Sequence, residues 1–377
     1  MSGFQIAFTG LQRQYNNLRE EILDATDQVL ASGNLMNGPF TQQFEEWLAQ
    51  KNHSNYAVLC HSGTQALEIL AGYYRPGRTE HKLYLQTKPP TILIPAMTFP
   101  ASANAFVRAG WNIHLIDTDA YGNMKFSDIP PDLHYRAILG IGLYGSALPN
   151  KIGIGLYGSA LPDSLRRVTP LIIEDAAQHW LSNHCHRMGE ASAISFDPMK
   201  NLNNYGNGGA VVTNDRNLSD YARNWCDNGK RSSHAHTGTN SRMSEVDCAQ
   251  MMVKTVYLDQ WQARREKIAR QYMAAFGAAP FRCLIDDSNV ATHCFHKFVI
   301  DTNNRDQLQV DLRSAGIETR VHYQHPLHEL AAYQQYAGSS ILSAASSLSR
   351  RALSLPIYPE LTDSEVDYII SSVLDCV

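Results

Sequence analysis

Apolar side chains recur along this chain in two rhythms. Leu18, Ile22, Ala25 and Val29 fall three to four residues apart, the spacing of one helix face, and Gly33 ends the run. Phe44, Trp47 and Leu48 mark a second, short helix. Compact apolar runs then predict strands at 56–60, 91–94, 112–116, 171–173, 193–196 and 210–213, with helices at 64–74 and 101–109. Most of these runs are apolar on consecutive positions, so the sheet is expected to be covered on both faces and largely parallel. From Ser244 the texture changes. Val246, Ala249, Val253, Val256 and Tyr257 form one helical stripe, and Trp261, Ile268, Tyr272 and Phe276 form the next. Beyond them the pattern predicts a strand at 294–300, a helix at 307–315, a strand at 318–321 and a last helix at 364–374. No solenoid period is present. The expected fold is α/β: a large domain over 1–243, with an N-terminal helical segment, then bridging helices and a smaller C-terminal α+β domain over 244–377.

Composition narrows the class without naming an activity. The 377 residues suit one large domain plus a smaller one. The apolar share is 44%, the charged share 18% and the net charge −4, with no basic stripe for nucleic acid and no acidic tail. The opening MSGFQIAFTG lacks a positive stretch followed by an apolar block, so no secretory leader is expected. The most apolar window, 91–107, is broken by Pro95, Thr98, Pro100, Ser102 and Asn104 and cannot span a bilayer. Seven scattered cysteines, an odd number, fit reduced thiols in a cytoplasm. His184-Cys185-His186 and His293-Cys294-Phe295-His296 lack the spacing of a zinc site, so no metal is expected; the alternation also suits a strand with one buried face.

One stretch, GIGLYGSALP, occurs twice, at 140–149 and 153–162. Each copy contains Gly-x-Gly-x-x-Gly, the spacing that cradles a dinucleotide's pyrophosphate. Such a loop needs a strand before it and a helix opening at its third glycine. The strand is available at Ala137-Ile138-Leu139. The helix is not, because Pro149 and Pro162 fall within what would be its first turn. Glu174 lies at the distance of a ribose-binding acid from the second copy. The competing reading is a glycine-bearing strand end and turn, one copy being an insertion.

Three other segments carry chemistry at strand ends. His61-Ser62-Gly63-Thr64 follows a strand and opens a helix, an anion site or a simple helix cap. Leu171–Gln178 places Glu174 and Asp175 at the end of an apolar strand; an aspartate there can hold a proton on a heterocyclic nitrogen, or cap a helix. Lys200 follows the strand ending near Phe196 with few other charges nearby, a nucleophile if desolvated and an ordinary solvated lysine otherwise.

Together SGTQAL, PAMTFPASANAF, IIEDAAQ, SFDPMKNL, GNGGAVVTND, GTNSRMSEVDCAQ, VHYQHPLH and LPIYPELTDSE resemble the DegT/StrS family of sugar aminotransferases, over nearly the whole chain and in the family's order. The resemblance implies pyridoxal 5'-phosphate (PLP) fold type I. It implies that Lys200 forms the Schiff base with the cofactor and that Asp175 pairs with its pyridine nitrogen. Gln178 would contact the ring's phenolic oxygen, Phe99 the ring face, and Gly63, Thr64 and Ser195 the phosphate. Asn240 would reach the phosphate from the other subunit of a homodimer. The implied reaction moves an amino group from glutamate or glutamine to a nucleotide-linked keto sugar, for amino-sugar and polysaccharide biosynthesis. Lysine at 200 matches the transaminating branch, since dehydratase relatives carry histidine there. His322, Tyr323, His325 and His328 are read either as facing the substrate or as buried polar packing. The chain departs from the family's pattern in a longer polar stretch at 75–90, in Asn207 where an acid is frequent, and in the duplicated glycine stretch. Two alternatives remain beside the enzyme: a PLP-binding regulator or inactive relative, and a dinucleotide-dependent oxidoreductase.

Overall fold

Strands apolar on successive positions bury both of their faces, and this is how the large sheet is built. The computed structural model describes residues 4–75, 89–130, 132–147, 171–182, 189–285, 287, 289–338 and 341–377. Helices α1 (Leu11–Ser32) and α2 (Pro39–Lys51) precede β1 (Tyr56–Cys60), α3 (Gly63–Tyr73), β2 (Thr91–Pro95), α4 (Pro100–Arg108), β3 (Asn112–Ile116) and β4 (Ala137–Ile141). Strands β5 (Leu171–Asp175), β6 (Ala191–Ser195) and β7 (Gly209–Thr213) complete a seven-stranded sheet in the order β1-β7-β6-β5-β4-β2-β3. Only β7 runs against its neighbours, so β1 through β6 all point their carboxyl ends to one edge.

Alternation along each strand divides the core. Val58 and Cys60 of β1 pack with Leu67 and Leu70 of α3 and Phe106 of α4 on one face. Ala57 and Leu59 pack with Leu18 of α1 and with Phe44 and Leu48 of α2 on the other. Burying an aliphatic side chain of this size contributes about 1.5–3 kcal/mol, so both faces stabilise the sheet.

After α5 (Arg216–Cys226), the stripes from Ser244 become α6 (Glu245–Thr255) and α7 (Leu258–Phe276). The break falls at Val256, which stays 78% exposed instead of joining the stripe. Strands β8 (Arg282–Cys283), β9 (Phe298–Asp301) and β10 (Ala352–Leu355) form a second, antiparallel sheet with α8 (Arg305–Ser314), α9 (Ser343–Arg351) and α10 (Asp363–Asp375). Its core gathers Phe298, Ile300, Leu308, Leu353, Ile369 and, from the far end of the chain, Ile6, which pairs with Ile317.

Two predicted strands are shorter than expected or absent. Of 294–300 only the end is strand. Phe295 takes φ 53, and the N–H groups of Cys294 and Lys297 donate to Gly145 and Tyr144 instead of to a strand. Over 318–321 pairing is single: Arg320 bridges Ser354, and the Glu318 N–H donates to Ile6. The described cysteines are free thiols, and among the described residues no helix is long and apolar enough to cross a membrane.

Candidate active site

The parallel strands bring the three chemistry-bearing segments to the same edge. At the end of β1, Ser62 caps α3, its Oγ accepting from the Gln65 N–H at 3.2 Å. Among the described residues the N–H groups of Gly63 and Thr64 have no acceptor, as the first turn of a helix leaves them. Gly63 is needed by close approach: a Cβ there would lie 2.7 Å from the Ser195 Cβ. Gly63, Thr64 and Ser195 therefore stand together around free donors, a site built for an anion.

Asp175 ends β5 and is buried. Its carboxylate accepts from the Ser102 hydroxyl at 2.6 Å and from the Ala177 N–H at 3.2 Å. Ser102 is in turn 3.1 Å from the Thr98 hydroxyl. Neither Thr98 nor Ser102 had a role in the sequence reading, where both only interrupt an apolar window. Glu174, the adjacent acid, faces the other way. It is fully buried and accepts from the Ser192 hydroxyl and the Gly189 N–H, so it is packed into the fold instead of facing this edge.

Lys200 sits in the turn after β6. Its N–H donates to the Asp197 carbonyl, and the Asn204 N–H returns to Phe196. Its amine makes no hydrogen bond or ion pair among the described residues. Burial pushes its pKa below the ordinary lysine value, against the opposing pull of Asp175 and Asp197. A half-buried amine that shares its field with a buried carboxylate is poised as a nucleophile and a base.

Gln178 and the aromatic residues close the arrangement. The Gln178 amide donates to the Tyr323 hydroxyl at 2.9 Å and accepts from the Tyr144 N–H at 3.0 Å. Phe99, 55% exposed, lies tilted against the Tyr323 ring with centroids 5.7 Å apart. Burial and the nearby Asp175 raise the Tyr323 phenol, so it stays protonated. His322 bonds Ser354 through Nδ1 at 2.8 Å, and burial with Lys297 and Lys200 pushes it well below the usual imidazole range. His328 turns to Ser346 at 2.9 Å, and His325 faces Glu329. These two make no contact with the Lys200 group among the described residues. Asn240 also stands apart: it is exposed, bridges Asp227 through the backbone, and its side chain takes a 3.4 Å bond from Arg242.

The first GIGLYGSALP copy is the strand end and turn of β4. A short 3-10 turn, Leu143–Gly145, follows the strand, with Tyr144 and Gly145 at φ 62 and 104. No helix opens at Gly145, where the glycine fingerprint requires one. The Gly142 N–H donates instead to His179 at 3.1 Å. The second copy, residues 148–149 of the first, and His184-Cys185-His186 lie outside the described residues. His293, Cys294 and His296 are spent on internal bonds, to the Phe295 N–H, the Gln178 carbonyl and Asn201. Among the described residues no group of three or more His, Cys, Asp or Glu could hold a metal ion.

Comparison with known proteins gives a consistent picture. The model of the DegT/DnrJ/EryC1/StrS aminotransferase family matches residues 16–374. The chain is 32% identical to the erythromycin biosynthesis sensory transduction protein EryC1 of Saccharopolyspora erythraea, covering 98% of both. It is 30% identical to the dTDP-3-amino-3,4,6-trideoxy-alpha-D-glucose transaminase of Streptomyces venezuelae, covering 98% of this chain and 95% of that one. Among solved structures, S. venezuelae DesV in complex with a ketimine intermediate superposes with a TM-score of 0.85 at 30% identity, covering 98% of each chain.

Proposed function

The chain belongs to the DegT/DnrJ/EryC1/StrS aminotransferase family, whose members depend on pyridoxal phosphate; from that premise we propose that it moves an amino group from glutamate or glutamine to a nucleotide-linked keto sugar. Its standing as a nucleotide-sugar aminotransferase follows from the family and from relatives such as the dTDP-sugar transaminase. The donor and the sugar are our reading. One observation carries it: Asp175 is buried at the end of β5, on the strand edge where Gly63 closes on Ser195 and the turn after β6 carries Lys200.

The residues fit the cofactor. The free N–H groups of Gly63 and Thr64, with the Ser195 hydroxyl, would hold a phosphate. Asp175 would meet the ring nitrogen, Gln178 the phenolic oxygen, Phe99 the ring face, and Lys200 the aldehyde. When bound, the cofactor supplies an electron sink that makes the donor's α-proton removable. Lys200 Nζ then takes that proton and, in the second half of the turnover, delivers one to the sugar carbon that gains the amine. Ser102 and the Ala177 N–H hold the Asp175 carboxylate in place, and Tyr323 and Tyr144 fix the Gln178 amide.

The test is spectroscopic. Glutamate or glutamine should discharge the visible band of the loaded protein, and one member of a panel of nucleotide-linked keto sugars should restore it. A regulator would bind the cofactor and show neither change, the outcome that the relative EryC1, a sensory transduction protein by name, makes worth testing.

Asn240 enters through the oligomer. Exposed in one chain, it would complete the phosphate site of a second in a homodimer. Lys200→Ala and Asn240→Ala proteins, each impaired alone, should regain activity when unfolded and refolded together. A mixed dimer carries both defects in one site and neither in the other. Mixing that restores nothing counts against shared sites.

A further inference from the structure

Lys297 lies just ahead of β9 and is 5% exposed. Among the described residues its ammonium has no carboxylate at ion-pair distance and no hydrogen-bond acceptor; its one contact is the Phe8 ring, 4.9 Å away. A buried cation without a partner is costly, and a buried lysine gives up its proton unless an anion is at hand to hold it charged. The surroundings make the case harder, not easier. Lys297 shares a cavity with Lys200, Arg265 and Glu360, and the single acid is occupied elsewhere, by Gln14 and the fields of Arg265 and Arg13. Burial, Lys200 and Arg265 push the Lys297 amine well below its ordinary value. Arg265 is itself spent on the Ile357 carbonyl at 2.6 Å.

We propose that Lys297 is a substrate-binding residue whose ammonium receives an oxyanion of the substrate next to Lys200. The inference rests on the aminotransferase reading. Lys200 lines the same cavity, about 30 Å³ and room for one small anionic group, so an anion held by Lys297 stands beside Lys200. Two sources share this chemistry: the carboxylate of the amino donor and the diphosphate of the nucleotide sugar. The carboxylate is the closer fit. It is bonded to the carbon whose proton Lys200 must take, whereas the diphosphate is a sugar ring away. Lys297 stands as an ionisable residue directly ahead of the core residues Phe298 and Ile300. Its stability cost is offset only when substrate binds.

The experiment uses the cofactor-loaded protein, wild type, Lys297→Met and Lys297→Arg, titrated calorimetrically with glutarate, UDP and dTDP, none of which can react. Methionine keeps the stem and removes the charge, so its thermal midpoint should equal or exceed that of the wild type; a merely structural lysine would leave it lower. Loss of one charged hydrogen bond should weaken the affected probe about ten- to a hundredfold, with arginine recovering part of the loss. Weakened glutarate with unchanged nucleotides assigns the carboxylate. Weakened UDP or dTDP with unchanged glutarate assigns the diphosphate. If Lys297→Met binds all three as the wild type does, or the wild type binds none, the proposal is overturned. The cofactor's visible band, recorded in the same samples, reports separately on the aminotransferase reading.

Discussion

Lys200→Ala is expected to lose the covalent bond to pyridoxal phosphate and to lower turnover by about four orders of magnitude or more, since one group serves as both nucleophile and proton carrier. The fold should survive. The Lys200 amine bonds to nothing among the described residues, and the turn is held by backbone bonds from Lys200 to Asp197 and from Asn204 to Phe196. Borohydride reduction followed by peptide mapping should label Lys200 in the wild type and no residue in the variant. Lys254 is the informative control. Burial pushes it down to about 7, so a lowered pKa alone would nominate it. It is fully buried, its amine donating to the Asn203 carbonyl at 2.8 Å beneath the Tyr205 ring, and it cannot reach a ligand. A label on Lys254 or Lys297 would remove Lys200 from the reaction. The wild-type rate should also rise with pH. Burial holds the Lys200 amine below its ordinary value, and only the uncharged amine attacks or accepts a proton.

What was legible in the chain was local. Strand β1 shows as consecutive apolar residues because both faces of the sheet are covered there, and the expected ends of β1 and of the edge strand β3 match the observed Tyr56–Cys60 and Asn112–Ile116. Gly63, Asp175 and Lys200 each sit just past such a run, so their place at one edge follows once the strands are parallel. What stayed hidden depends on partners far along the chain. Ser102 reaches Asp175 across the sheet edge from α4, and nothing near either residue signals the bond. Lys297 sits in a run that looks like strand, yet the segment is drawn off by Tyr144 and Gly145, which take its N–H groups. The same bonds give the first glycine stretch its purpose. Its turn supports Gln178 through the Tyr144 N–H and anchors the segment that carries Lys297. A motif spaced for pyrophosphate serves here as scaffold: at Gly145 the chain leaves its 3-10 turn into an extended Ser146, not into a helix.

Asp175→Asn should separate binding from chemistry. The asparagine carbonyl can keep the bond from the Ala177 N–H, while the side-chain amide donates to the Ser102 hydroxyl and Ser102 turns its own proton to Thr98, so the local structure should change little. What disappears is a full negative charge in a buried site, with two opposing consequences. Lys200 loses a field that favours its protonated form, so its amine becomes somewhat easier to deprotonate. The ring nitrogen loses the partner that keeps it protonated, and the cofactor becomes a weaker electron sink. The second effect should dominate, because it acts on charge that develops as the α-proton leaves. Removing one such preorganised group costs about 10²–10³ in rate, whereas the first changes only the fraction of an amine already held low. The variant should therefore carry cofactor on Lys200 while its single-turnover reaction with glutamate slows by that factor. Asp175→Ala should be worse on both counts, since it also leaves the Ser102 hydroxyl and the Ala177 N–H without their acceptor. A wild-type single-turnover rate in the asparagine variant, with cofactor bound, would mean that the carboxylate does not face the ring, and that the charge relation between Asp175 and Lys200 is structural.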